Sequence, residues 1–360
     1  MTEKTTVKNA KFETVKVEQL SNLERYGYPA VRFPRDAIVG ALAARAKELG
    51  IPIHYDYKLV EILSDDATTG VTLRFSNDLE KSASLLIGAD GIRSRIRKLA
   101  FPDAPDMKYT GQTGIMWSIP SSSLQYPGVK EGEKKDLGAI FMKTAQGVVL
   151  FVPDSINGTN IRVGIQRPLK DRDIEEWKAL QGDKVAILGA LRDVEGGIPE
   201  PVSSAIDMAK KDDSELFLWP FYTLSAMGNW VSKAGKGRIV VIGDAAHAFP
   251  PTGGQGAGMA IEDAGSLGIV LGEVEKCGGL EAALKAWQTS RKNRVDQVAA
   301  YVREIGKGRV APGASIPGDG TAGKIEPAKP LGDVQDLAWL YGWKVEEDLT
   351  SWREKENDRS

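Results

Sequence analysis

One stretch constrains this chain more than any other: Gly237-Arg-Ile-Val-Val-Ile-Gly-Asp-Ala-Ala-His-Ala-Phe-Pro-Pro-Thr-Gly-Gly-Gln-Gly-Ala-Gly-Met-Ala-Ile-Glu-Asp263. Ile239 to Ile242 is an unbroken apolar run, as in a parallel strand buried on both faces. Gly243 and Asp244 then put a carboxylate at the carboxyl end of that strand, the edge at which open α/β sheets bind ligands. Four glycines in the six positions from Gly253 to Gly258 leave the backbone bare and able to take positive φ. An apolar-periodic segment follows through Met259, Ile261, Ala264, Leu267, Ile269 and Val270, and reads as a helix. A fixed acid, a glycine collar and a helix N-terminus, with its free N–H groups and partial positive charge, thus point at one place.

A second strand–turn–helix junction lies upstream, Leu85-Leu-Ile-Gly-Ala-Asp90-Gly91-Ile-Arg93-Ser94-Arg95-Ile-Arg97. Gly88 and Gly91 permit the turn, Asp90 sits at the strand end, and Ser94 is placed to bond helix N-terminal amides. Arg93, Arg95 and Arg97 read either as charge for a dinucleotide pyrophosphate or as a solvated basic face. Before it, Pro34 opens a helix whose Ile38, Leu42, Ala46 and Leu49 recur at helical spacing, and Gly50 and Pro52 end it. Arg35 stands at the mouth of that helix, a permanent charge able to fork onto oxygen acceptors, or to pair with Asp36.

The remaining segments read as follows. Residues 1–30 alternate weakly and suit one or two short strands; 53–63, 71–75 and 83–87 read as strands, with His54 a surface or packing residue. From 109 to 228 strand-like pieces dominate (113–119, 139–143, 148–152, 161–166 and 216–222), with a helix over 173–192. Mostly antiparallel strands inserted between two nucleotide-fold pieces suggest a separate substrate domain. Trp117, Phe141, Phe151, Trp219, Phe221, Tyr222 and Trp230 are its candidate pocket aromatics, most of them core residues. Residues 282–303 read as a helix, 306–332 as a Gly-, Pro- and Ala-rich linker, 337–343 as a short docking turn and 353–360 as a polar end.

Composition removes several functional classes. A net charge of −2 gives no footprint for nucleic acid. Cys277 is the one cysteine, so no internal disulfide forms, and with two histidines no zinc-ligand pattern exists. No apolar run reaches the length of a membrane span and the start lacks a signal-peptide core, which suggests a cytoplasmic protein. A length of 360 residues suits two domains.

The stretch around Asp244 resembles the second FAD-binding motif of the flavin-dependent aromatic hydroxylases (group A flavoprotein monooxygenases), and the stretch around Asp90 resembles their Asp-Gly motif. The salicylate hydroxylase-like, fungal members are the most similar in overall look. The resemblance implies an α/β fold: an FAD-binding domain of the glutathione-reductase-like, p-hydroxybenzoate-hydroxylase-like type over 1–108 and 229–305, a mostly antiparallel β-sheet substrate domain over 109–228, and a linker and tail over 306–360. It implies cofactor contacts at Arg35, Asp90, Gly243, Asp244, Gly254, Gly256 and Ala257, with Tyr222 and His247 as candidate catalytic groups by position. The histidine of this string is more often a structural loop residue. The implied reaction uses NADH or NADPH and O2 to hydroxylate or epoxidise a small aromatic or polycyclic metabolite through a C4a-hydroperoxide of the flavin.

The family opens with a strand–Gly-x-Gly-x-x-Gly–helix unit, and this sequence shows none: 34 residues precede Arg35. The expectation is therefore an FAD-binding domain without its first β-α-β unit. Other readings stand beside the hydroxylase: an inactive, flavin-free short form, a same-fold flavin reductase, and a binding module built on the aromatic sheet alone.

Overall fold

The computed structural model describes residues 4–19, 23–29, 31–128, 138–144, 147–155, 157–192, 198–211, 215–307 and 337–345. The chain opens with strands β1 (Lys4–Lys8) and β2 (Thr14–Gln19), a single turn α1 (Leu23–Tyr26) and the helix α2 (Arg35–Glu48). Strands β3 (Leu59–Asp66), β4 (Gly70–Phe75), β5 (Glu80–Ala83) and β6 (Leu86–Gly88) and helix α3 (Arg95–Ala100) follow. Next come β7 (Met107–Pro120), β8 (Ala139–Thr144), β9 (Gly147–Pro153), β10 (Asn160–Pro168), three helices α4 (Ile174–Gly182), α5 (Lys184–Arg192) and α6 (Val202–Lys211), and β11 (Phe217–Leu224). The last described part holds β12 (Ile239–Val241), the turn α7 (Asp244–His247), α8 (Gly256–Gly272), α9 (Leu280–Lys307) and the turn α10 (Ala338–Tyr341).

These elements form two compact units. One comprises 1–32, 109–221 and 306–319, and is built on a seven-stranded sheet of order β11-β7-β10-β9-β8-β1-β2. β7, β10, β9 and β8 pair antiparallel in turn, and β1 joins β8 in parallel, Thr5 opposite Ala139. Residues 4–19 thus add to this sheet, a pairing that their weak alternation does not disclose. Its core alternates along the strands: Ile115, Trp117 and Ile119 of β7 meet Val149 and Phe151 of β9 and Ile161, Val163 and Ile165 of β10. The helix read over 173–192 is two helices, broken at Gly182–Asp183; Asp173 caps the first, its carboxylate accepting the Glu176 N–H while the Glu176 side chain accepts from the Asp173 N–H.

The other unit comprises 33–108, 222–305 and 320–360. It holds a parallel pair, β12 beside β6, and an antiparallel sheet β3-β4-β5. Two strand readings are corrected here. The first strand starts at Leu59, leaving His54 in an exposed loop. The piece 83–87 is two strands, because Ala83 pairs with Val71 while Leu86 pairs with Ile239 in a different sheet. Helices α8 and α9 supply most of the remaining core through Met259, Leu267, Val270, Leu284, Trp287, Val295 and Val298.

Helix α2 forms where the helical spacing of Ile38, Leu42 and Ala46 places it. Gly50, at φ +69°, closes it as foreseen, with Gly50 N–H on the Lys47 carbonyl and Ile51 N–H on that of Ala46. Yet no residue of α2 is buried, and Val39 and Leu42 are both 65% exposed. The apolar spacing is present; the apolar partner it calls for is not among the described residues. Most of 306–332 and all of 353–360 lie outside the described residues.

Candidate ligand site at the end of β12

The strand β12 is fixed at its start before it can present anything at its end. Asp65, near the end of β3, accepts the Ser232 hydroxyl at 2.6 Å and the Arg238 N–H at 2.6 Å. Arg238 Nε reaches the Ala67 carbonyl at 2.8 Å. Gln288 of α9 accepts the N–H groups of Trp230 and Val231, and Val231 bridges to Val240. Ile239, Val240 and Val241 are buried, as their apolar run requires.

At the far end the chain turns sharply. Gly243 takes φ +58° and ψ −141°, and a Cβ there would stand 3.0 Å from the Ala260 Cβ of α8. Both the backbone angle and the close approach demand glycine. The turn lifts Asp244 into solvent, where its carboxylate has no hydrogen-bond or ion-pair partner among the described residues. Pro250 leads a 3-10 turn over 251–253, and Gly254, at φ +65°, ends it with open space around it. A Cβ on Gly256 would lie 3.7 Å from Asp244 Oδ1, so the first residue of α8 and the free carboxylate line the same surface. Gln255, the cap of α8, makes no side-chain bond to the helix amides, and Ala257 is exposed beside them.

Beneath this surface lies a buried ionic network that the sequence reading missed. Asp263 of α8 is 0% exposed. Its Oδ2 accepts the Gly243 N–H at 2.8 Å and contacts His247 Nε2 at 2.6 Å, and its Oδ1 accepts Arg291 Nε at 2.8 Å. Arg291 also reaches Glu262 at 2.9 Å, which Arg294 contacts at 3.2 Å, while Arg294 binds the carbonyls of Trp339 and Leu340. Burial alone raises a carboxyl; the His247 bond and charge, Arg291 and the Gly243 N–H outweigh it and hold Asp263 below the ordinary value. His247, 6% exposed, is packed between Trp230 and Phe249, with ring centroids at 5.0 and 5.5 Å. Its Nδ1 is buried without a hydrogen-bond partner among the described residues, and Nε2 is the ring nitrogen that bonds Asp263.

The sequence signal for this network was available: on α8 the buried stripe is Met259, Asp263, Ser266, Leu267 and Val270, an acid at a core position. Ile261 and Ala264, read as part of that stripe, are exposed. On α9, Arg291 and Arg294 occupy the buried stripe of Trp287, Val295 and Val298. Charges at such positions demand partners.

The Asp90 junction is also built largely for itself. Asp90 Oδ1 accepts the Ser94 hydroxyl at 2.5 Å, and Oδ2 accepts the N–H groups of Arg95 and Ile96. Ser94 caps α3 through the Arg97 N–H. The suggestion that Arg97 meets a pyrophosphate is corrected: it is 2% exposed and donates to the carbonyls of Ala245, at 2.8 Å, and Ile92, at 2.6 Å. Arg95 turns to the Val60 carbonyl, and the Arg93 guanidinium stands 5.8 Å from the Tyr222 ring. Tyr222 is half-buried, directly before Thr223 and two residues before Leu224, which both bind the Ala248 carbonyl. Arg35 is the exposed first residue of α2. Of the pocket aromatics, Trp117, Phe151, Phe221 and Trp230 are core; Phe141 and Trp219 are half-buried.

Residues 213–302, which contain this site, match the family model described as an FAD binding domain. The chain is 31% identical over 242 residues to hispidin-3-hydroxylase of Neonothopanus nambi, covering 64% of this chain and 54% of that protein. It is 28% identical over 335 residues to the 3-amino-4-hydroxybenzoate 2-monooxygenase PtnB3 of Streptomyces platensis, covering 90% and 74%. The match thus spans about half the length of the first of these relatives and about three quarters of the second. Among solved structures, CtdE in complex with FAD and a substrate superposes with a TM-score of 0.72 at 19% identity, covering 99% of this chain and 82% of that one. FqzB gives 0.73 at 16% identity. The residues around Asp244 fit the hydroxyl-rich and ring portions of FAD: an unpartnered carboxylate as acceptor, a side-chain-free backbone at Gly254 and Gly256, and uncapped helix amides as donors.

Proposed function

We propose that this chain is a member of the FAD-dependent aromatic hydroxylases, a reading supported by the FAD binding domain match over residues 213–302 and by its hydroxylase and monooxygenase relatives, and that it binds FAD at the end of β12 and hydroxylates a small aromatic or polycyclic compound with NAD(P)H and dioxygen. When bound, FAD supplies the hydride acceptor and the means of activating oxygen. The protein's own residues bind, orient and exclude water. Asp244 accepts hydrogen bonds from hydroxyl groups of the cofactor chain. Gly254, Gly256 and Ala257 let the ligand lie against backbone, and the α8 N-terminus stabilises negative charge there. Arg35 contributes a permanent positive charge. Asp90 acts by shaping the Gly91 turn and Gly243 by permitting its own. Tyr222 is the candidate for moving a substrate hydroxyl proton. His247 serves by holding the turn.

One observation carries this reading: an exposed aspartate without a partner among the described residues, at the end of a buried strand, against the open glycine start of a 17-residue helix. The test is the visible spectrum of the purified chain after incubation with FAD and removal of the excess. A retained flavin spectrum that Asp244→Ala diminishes while the melting curve stays cooperative supports the proposal. A colourless wild-type chain sinks it. NAD(P)H oxidation with phenols is the following assay.

A further inference from the structure

The Asp263 carboxylate spends its acceptor capacity on three groups from three different places. One is the main-chain N–H of Gly243, immediately before Asp244; one is His247, at the end of the same helical turn; one is Arg291 of α9. The Gly243–His247 segment is thereby held at both ends by one oxygen atom, Oδ2. Gly243 sits in a backbone conformation that nothing intrinsic favours over alternatives, so an external tether decides it. Asp244 itself is held by no side-chain contact among the described residues, and its direction follows from the two residues that flank the turn.

We infer that Asp263 is a positioning residue for the cofactor site: through Gly243 N–H and His247 it sets the backbone that aims Asp244. This inference rests on the proposed flavin site for its consequence and on the hydrogen bonds alone for its geometry. Arg291 keeps the carboxylate in place by occupying Oδ1, while its Nη1 donates to Glu262 and its Nη2 faces Met259 Sδ at 3.9 Å.

Asp263→Asn is the informative change, since it keeps shape and removes one acceptor. The buried amide oxygen is required by Arg291, so the NH2 group faces His247 and Gly243. His247 can accept at Nε2 only by carrying its proton on Nδ1, which has no acceptor among the described residues, and the Gly243 N–H is left without an acceptor outright.

Three readouts decide the matter. In the unaltered chain, the Gly243 amide must exchange with solvent as slowly as those of Val240 and Val241, although it lies beyond the strand. In Asp263→Asn, the Gly243 amide must exchange about tenfold faster or more while the Val240 and Val241 amides do not change. With FAD as probe, followed by its fluorescence, Asp263→Asn must weaken binding about tenfold, and the double variant Asp244→Ala/Asp263→Asn must bind no worse than Asp244→Ala alone. A general loss of structure would instead add to the Asp244→Ala effect. A fast Gly243 amide in the unaltered chain, an unchanged one in Asp263→Asn, or additive losses overturn the inference. If the unaltered chain takes up no FAD, the functional proposal has failed, and the exchange readouts still decide whether Asp263 holds the turn. Should Asp263→Asn fail to fold, the exchange of Gly243 in the unaltered chain remains decisive.

Discussion

Arg97 and Ala245 lie 148 residues apart and are joined by a 2.8 Å hydrogen bond from Nη1 to the main-chain carbonyl. That bond clasps the Asp90 junction to the Asp244 junction within one unit, with Nη2 on the Ile92 carbonyl as its second point of attachment. The guanidinium is buried and makes no ion pair among the described residues; burial pulls its pKa down, and the charges of Asp90 and Asp106 oppose that pull. Replacing Arg97 by Ala leaves two carbonyls without their donor, a cost of about 1–3 kcal/mol for each that stays dry. Urea unfolding of Arg97→Ala should show a lower midpoint at unchanged slope, and Arg97→Lys should recover part of the loss.

Glycines in the site region divide by what surrounds them. Gly243→Ala combines positive φ with a 3.0 Å approach to Ala260, and Gly88→Ala would press on Ile96 at 2.9 Å and Val241 at 3.1 Å. Each should destabilise by about 1–3 kcal/mol. Gly265, in the exposed face of α8, has nothing within 4 Å. Gly265→Ala should stabilise by about 0.5–1 kcal/mol, because helical glycine is penalised mainly by the freedom of the unfolded chain. Thermal melts of the three variants give the comparison directly.

Acid sensitivity should follow Asp263. Its folded pKa is below the unfolded value, so its contribution is fully present above the unfolded carboxyl range and is lost as pH falls through the folded pKa. Stability measured from pH 7 downward should decline, and Asp263→Asn should flatten that decline. Asp296 works in the other direction. Burial raises it against the opposing charges of Lys292 and Arg303, so it favours the fold at low pH and loses that contribution as pH rises through its folded pKa. Asp296→Asn should therefore gain stability at pH 7 relative to pH 4.

Leu42 separates sequence pattern from structure. As a core leucine it would cost about 2–5 kcal/mol on truncation to Ala. Exposed as it is, Leu42→Ala should change the stability of this chain by about 0.5 kcal/mol or less. A loss in the upper range on denaturation of the purified chain would mean that the α2 stripe is covered.

The legible and illegible parts differ for physical reasons. Ile239 to Val241 announce their burial by composition, and Gly243-Asp244 announces a turn with an acid, because both are local properties of consecutive residues. The family resemblance carried the cofactor and the fold. Asp263 escaped notice because its meaning depends on Arg291, which is 28 positions away and on another helix. Arg97 looked like a surface charge since its acceptors are main-chain carbonyls, which leave no trace in composition. The parallel addition of β1 to β8 was equally hidden, since pairing across the sheet depends on register and not on either strand's own sequence.

A 14-residue helix without buried side chains has consequences for how the molecule comes apart. Helices of that length are marginal in water without tertiary support; α2 has no side-chain cap at its N-terminus, and its C-terminal cap and the Arg45–Glu48 pair are of small worth. The remainder of its unit is stitched by Asp65, Gln288, Asp263 and Arg97. Opening should therefore proceed in two stages, with α2 and its Arg35 melting well before the β12 turn. Any ligand that engages Arg35 would then meet a partner ordered at the moment of binding, and would lose affinity for that ordering, while Asp244 waits already in place.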